Sequence, residues 1–303
     1  MKKTIIILVI IIIIGIGYYF FKKSPEAVPV DENPITTDDT TVSQATSTAN
    51  NQNNGPISVI GKSIEGRDIT AYSYGTGTTT KLLFVGGIHG GYEWNTALVA
   101  YQMMDYLKAN PSSIPSNIRV TVIPVLNPDG LYEAVGTTTG NFTEKDIPKA
   151  QSDIVSSRFN ANDVDLNRNF DCDWKTTGVW QSKTVSGGSM AFSEPESRAI
   201  KNYIENNKPN AVVVWYSAAG GVYASNCHNG VLDETKTIAK EYAKASGYPY
   251  FESFDFYATT GDMVNWLAKI NIPAISILLT NHTGTELQKN QAGVKALLKY
   301  YSK

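Results

Sequence analysis

Four short apolar runs, spaced by stretches of helical periodicity, constrain this chain more than any other feature. The runs are Lys81-Leu-Leu-Phe-Val85, residues 118–126, Ala211-Val-Val-Val-Trp-Tyr216 and residues 274–279. The first stops at Gly86-Gly87 and the second at Asn127-Pro-Asp-Gly130, both turn signals. Such runs read as strands buried on both faces. Between them, residues 96–108 repeat Leu98, Met103, Met104 and Leu107 at helical spacing. Residues 194–206 follow Ser193 and carry Pro195, the pattern of a helix start. Residues 235–245 and 286–301 complete the helices. Strands alternating with helices predict an α/β sandwich with a mostly parallel sheet. In such folds a site belongs just past the carboxyl ends of the strands.

Apolar residues are not evenly spread. Residues 5–21 carry no charge and are flanked by Lys2-Lys3 and Lys22-Lys23. As a helix at about 1.5 Å per residue, that run approaches the short limit of a membrane span. No small-residue cleavage site follows it, so residues 1–23 read as an uncleaved, single-pass signal-anchor. Lys2, Lys3 and the terminal amine lie on one side, whereas Lys22-Lys23 is soon followed by Glu26, Asp31 and Glu32. That balance places the large domain outside the cell membrane. Residues 24–56 are rich in Thr, Ser, Asn and Pro, contain five acids and lack Lys and Arg. They read as a disordered tether. Residues 57–303 are the folded part. Its 22 basic and 23 acidic residues nearly cancel, which gives no electrostatic reason for nucleic-acid binding.

The residues past the strands carry the chemistry. They read Gly87-Ile-His89-Gly-Gly-Tyr-Glu93, Asn127-Pro-Asp-Gly130, Arg158-Phe-Asn160 and Val164-Asp-Leu-Asn-Arg-Asn-Phe170, followed by Ser193-Glu-Pro-Glu196, Tyr257 and Trp266. In this order they resemble the zinc carboxypeptidase family, the carboxypeptidase A-like metallopeptidases. Asn-Pro-Asp-Gly followed by Asp-Leu-Asn-Arg-Asn-Phe is the specific part. The resemblance implies a three-layer sandwich with a mixed sheet. It also implies a zinc held by His, Glu and His with one open position, a separate Glu as base and an Arg at the oxyanion. By resemblance, His89 and Glu93 are the metal ligands and Asp165 orients the His. Asn167 and Arg168 clamp a terminal carboxylate, Arg158 is the oxyanion Arg, and Tyr257 closes over the bound residue. Val264 falls where side-chain preference is set, and a neutral residue there suggests an apolar or small C-terminal residue.

The chain also departs from the family pattern. His89 and Glu93 are separated by three residues, not two, and Gly90-Gly91 are positioned to absorb the extra one. Tyr216 stands where the second zinc His is expected, and Leu278 where the base Glu is expected. His228 and His282 are the remaining imidazoles and read as loop residues. Two functions stay open. One is a pseudo-peptidase that binds the C-termini of peptides or of peptidoglycan peptides. The other is an active metallocarboxypeptidase, acting on cell-wall peptides, with a rearranged zinc site. In an exported domain, Cys172 and Cys227, both near this site, are expected to form a disulfide.

Overall fold

The computed structural model describes residues 56–303 apart from residue 149, so the expected signal-anchor and nearly all of the expected tether lie outside the described residues. Among the described residues no helix is long and apolar enough to cross a membrane. In chain order the elements are β1 (Ile57–Lys62), β2 (Asp68–Tyr74), β3 (Thr80–Val85), α1 (Trp94–Ala109), β4 (Ile118–Ile123) and α2 (Pro128–Val135). Then come β5 (Thr177–Trp180), β6 (Lys183–Ser186), α3 (Pro195–Asn207), β7 (Ala211–Ser217) and β8 (Gly221–Ala224). The chain closes with α4 (Asp233–Ser246), β9 (Tyr250–Phe251), α5 (Met263–Lys269), β10 (Ala274–Leu279) and α6 (Leu287–Tyr301).

Eight strands form one mixed sheet in the order β1-β2-β4-β3-β7-β10-β8-β9, with β5 and β6 as a separate ribbon. The central block β4-β3-β7-β10 is parallel, and antiparallel pairs flank it on both sides. Strand alternation divides the core in two. On β7, Ala211, Val213 and Trp215 face one layer, while Val212, Val214 and Tyr216 face the other. Apolar residues of α1, α4 and α6 cover the first face, and those of α3 and α5 cover the second. Asn290 ties the first layer together, accepting from Trp215 Nε1 at 3.0 Å and from the Tyr242 hydroxyl at 2.8 Å.

Two local expectations change. The second apolar run is a strand only to Ile123, because Pro124 has no N–H to continue the ladder. Asn127-Pro-Asp-Gly130 is the start of α2 rather than a plain turn. The Asn127 side chain caps that helix through Gly130 N at 2.9 Å, with Pro128 at the first helical position.

Candidate functional site

The site lies at the carboxyl ends of β3, β7 and β10, on the face covered by α5. Its cavity measures about 210 Å³ and is lined among others by His89, Glu93, Arg158, Asn167, Arg168, Tyr216, Tyr257, Val264 and Leu278. The structure thus brings to one cavity every cavity-facing residue singled out from sequence. Asp165 lies fully buried just behind them.

The loop after β3 brings His89 and Glu93 together despite their spacing. Gly90 adopts φ +47°, and a Cβ there would lie 2.4 Å from the Ser157 carbonyl oxygen. Gly91 packs equally close to Ala134. The extra residue is taken up in this tight turn, and Tyr92 turns aside onto Trp180 with ring centroids 4.9 Å apart. Glu93 Oε1 ends 2.9 Å from His89 Nδ1. The carboxylate lies off the ring N–H direction, so Nδ1 is buried without a hydrogen bond of normal geometry. Glu93 Oε2 accepts the Ser217 N–H at 3.0 Å.

Arg158 sits behind this pair, 1% exposed. Its Nε and Nη2 both donate to Asp165 Oδ2, at 3.0 and 2.9 Å. Nη2 also lies 2.9 Å from His89 Nε2, and Nη1 lies 3.5 Å from Glu93 Oε1. The guanidinium plane rests on Trp180, 4.4 Å from the ring centroid. Burial opposes ionisation of Asp165, but Arg158 and His89 outweigh it and hold its carboxyl far below the usual carboxylate range. For Glu93, too, burial is overcome by His89 and Arg158, and its carboxyl is held low.

The short turn 166–168 positions the expected clamp. Asp165 caps it by accepting from Asn167 N at 3.0 Å, and Arg168 N donates to the Asp165 carbonyl at 2.8 Å. Gly261 closes over it: at φ +64°, a Cβ there would lie 2.2 Å from the Arg168 carbonyl oxygen, so only glycine fits. Arg168 is 1% exposed and lines the cavity. Nε and Nη2 donate to the Val179 carbonyl at 3.2 and 2.6 Å, and Nη1 to the Asn167 carbonyl at 2.7 Å. Its partners are neutral carbonyls, and two of its five N–H bonds keep no acceptor among the described residues. Asn167 is less free. Its Nδ2 donates to Asp262 Oδ2 at 2.8 Å, and its Oδ1 accepts from Met263 N at 3.0 Å and from the Tyr216 hydroxyl at 3.2 Å. Of the expected clamp pair, Arg168 therefore offers the donors, while the Asn167 amide is held inside the protein.

Three features of the donor set test the zinc expectation. The Arg158 guanidinium lies 2.9 Å from His89 Nε2, so a buried cation is packed against the imidazole expected to ligate the metal. Tyr216 is kept a neutral phenol, because burial, with Asp262 and Glu93 nearby, raises its pKa well above the ordinary tyrosine value. Among the described residues no three His, Cys, Asp or Glu side chains gather as a metal-binding group. Catalytic zinc needs three protein ligands, and the residues present do not fit it. Leu278 lines the cavity where a base is expected and has no group to accept a proton.

His282 sits behind the cavity wall, against Ser217, which lines it. Its Nδ1 lies 2.9 Å from Ser217 Oγ, which donates to Asn95 Oδ1 at 3.1 Å. Burial lowers its pKa; the nearby Glu93 carboxylate opposes this, and Arg158 and His89 add to it. His228 is exposed, 2.7 Å from Asp173. Cys172 and Cys227 are joined in a disulfide that closes a 55-residue separation. Tyr257 lies beside the clamp, with the Arg168 guanidinium 5.8 Å from its ring centroid.

Sequence reasoning missed Asp262, Ser217 and Trp180. Asp262 carried a signal, an acid just before Met263-Val-Asn-Trp266, but one that reads only as a helix cap. Trp180 carried none, since it comes from the separate β5-β6 ribbon.

Comparison with known proteins places the chain. A family model described as zinc carboxypeptidase matches residues 46–291. A gamma-D-glutamyl-L-diamino acid endopeptidase of Lysinibacillus sphaericus is 24% identical over 218 residues, covering 66% of this chain and 54% of the enzyme. Bovine carboxypeptidase O is 31% identical over 173 residues, covering 52% of this chain and 44% of that protein. The chain thus spans about half the length of the curated relatives it matches. Among solved structures, the murein-tripeptide amidase MpaA of Escherichia coli O157 superposes with a TM-score of 0.57 at 20% identity, covering 81% of this chain and 92% of that one. Bovine thrombin-activatable fibrinolysis inhibitor, in complex with tick carboxypeptidase inhibitor, superposes with a TM-score of 0.62 at 17% identity, covering 81% and 88%. These structures share the carboxypeptidase A-like fold. With a family model spanning most of its length and its motifs gathered at one cavity, the chain belongs to the zinc carboxypeptidase family.

Proposed function

We propose that this chain is a non-hydrolysing member of the family that binds the free carboxylate of peptide termini. One observation carries the reading: Arg168 is buried in the cavity wall with no carboxylate partner and with unused N–H donors. A buried guanidinium without a counter-charge is costly and is relieved by an anion. A carboxylate accepting from a guanidinium is among the stronger hydrogen-bonded pairs in proteins. Tyr216 and Leu278, at the positions of a zinc ligand and of the base, support binding without cleavage. The base alone contributes about 10²- to 10⁴-fold in such enzymes.

Two of the similar proteins are named for murein or γ-D-glutamyl peptides. Peptidoglycan peptides are therefore the ligands to try first. Residues 1–23 fit the role of a membrane anchor, and residues 24–56 that of a tether presenting the domain to the cell wall.

The test is a binding titration of the full chain with stem-type peptides that end in a free carboxylate or in an amide. The free acid is expected to bind, with amidation and Arg168→Ala each weakening binding by at least about tenfold, the worth of a charge-assisted hydrogen bond. Equal binding of acid and amide would sink the proposal, as would release of the C-terminal residue.

A further inference from the structure

The cavity holds a second buried ionisable group that the carboxylate reading leaves unexplained. Asp262 is 7% exposed and lines the same cavity as Arg168. Its Oδ1 caps α5 through Asn265 N at 3.0 Å, and its Oδ2 accepts from Asn167 Nδ2 at 2.8 Å. The Val264 N–H also bonds this carboxylate, and all of these partners are neutral. No Lys, Arg or His side chain pairs with Asp262, and no carboxylate pairs with Arg168, among the described residues. Two groups of opposite charge thus line one cavity without an ion pair between them: burial pushes the Asp262 carboxyl up, and the Arg168 guanidinium, near but not bonded to it, only partly offsets that.

Burying such charges is costly unless something pairs them. A peptide carboxylate alone would satisfy Arg168 while placing a second anion near Asp262. An ammonium alone would do the reverse. A head group carrying both charges on one carbon satisfies both side chains and leaves the cavity's net charge unchanged. We propose that the Arg168–Asp262 cavity binds a zwitterionic α-amino acid head, its carboxylate on Arg168 and its ammonium on Asp262. Free amino acids present that group, and so does the far end of a diamino acid side chain that carries its own carboxylate. An ordinary C-terminal residue, whose nitrogen is a neutral amide, does not. Asp262 is then the residue that selects the ligand. This inference rests on the carboxylate reading of Arg168 and narrows it.

The experiment titrates the full chain with L-alanine, D-alanine and glycine, with their N-acetyl derivatives, and with alaninamide. Ligand-observed NMR reads the affinities. Acetylation removes the ammonium and keeps the carboxylate, and amidation does the opposite. In the wild type, at least one free amino acid is expected to bind about tenfold or more tighter than its N-acetyl form, the worth of one hydrogen bond to a charged group. Asp262→Asn keeps the helix cap but turns an NH2 group toward Asn167 Nδ2, so its thermal midpoint is expected to fall; while folded, it is expected to lose the preference for the free amino acid and still bind the N-acetyl form. Equal affinity for free and acetylated ligands in the wild type overturns the inference and leaves the carboxylate reading standing. So does the absence of amino acid binding when acid-ended peptides bind. Equal affinity for alanine and alaninamide means instead that Arg168 does not read a carboxylate, and both proposals fail.

Discussion

Replacing Asp165 by Asn removes the negative charge that holds Arg158 in the core, and the structure sets the size of the effect. Asp165 is fully buried, and Arg158 is 1% exposed. Two of the guanidinium's N–H groups meet one carboxylate oxygen at 2.9 and 3.0 Å. After the substitution the nearest remaining carboxylate is Glu93, at 3.5 Å. Leaving one member of a buried pair unpaired costs about 3–5 kcal/mol. With its oxygen on Asn167 N, the Asn side chain turns its NH2 group toward the Arg158 donors, so the upper end, about 5 kcal/mol, is expected. That is a large share of the roughly 5–15 kcal/mol total of a domain. The pH dependence follows from the depressed carboxyl of Asp165. A group whose folded pKa lies below its unfolded value, near 3.9, stabilises fully above that value. The stabilisation is lost as the pH falls below about 4 toward the folded value, by up to about 1.4 kcal/mol per pH unit. Urea unfolding of the wild type and of Asp165→Asn at pH 7, and again across pH 5 to 2, measures both effects. The variant is expected to be less stable at pH 7 and to lose stability less steeply with acid. A difference below about 1 kcal/mol at pH 7, or identical acid slopes, would refute the view that this pair locks Arg158 in place.

Two further outcomes concern the site and its surroundings. Dialysed against trace zinc, the purified chain is expected to retain far less than one zinc per molecule by elemental mass spectrometry; stoichiometric zinc would mean that Arg158 releases His89 and that hydrolysis must be reconsidered. Reducing the Cys172–Cys227 bridge, with its 55-residue separation, is expected to cost roughly 4 kcal/mol of unfolding free energy in the chain-entropy model, read as a drop in denaturation midpoint on adding reductant; an unchanged midpoint contradicts it.

Much of the fold was legible because it depends on local pattern. The runs that became β3, β7 and β10 are apolar on both faces, and the helices between them carry one apolar stripe each, so layering follows from burial alone. The motif Asp165-Leu-Asn-Arg168 was legible for a similar reason: a capped turn of four residues holds its own geometry. Asn127-Pro-Asp-Gly130 was misjudged because a turn and a capped helix start use the same residues. Only the packing of the residues after Gly130, with Leu131 fully buried, separates the two.

What the sequence determined by itself was therefore the order of elements, the place of the site at the strand ends, and the residue types there, including Tyr216 and Leu278 where a ligand and a base were expected. The state of those residues was decided by the tertiary structure. Whether Arg158 faces an oxyanion or binds Asp165 and His89 depends on the spacing between two loops and on Trp180, which a distant ribbon supplies. Whether Arg168 and Asp262 find counter-ions depends on every charge within a few ångströms, and those charges come from segments about 95 residues apart. Charge in a low-dielectric interior is settled by its neighbours in space, and no window along the chain contains them.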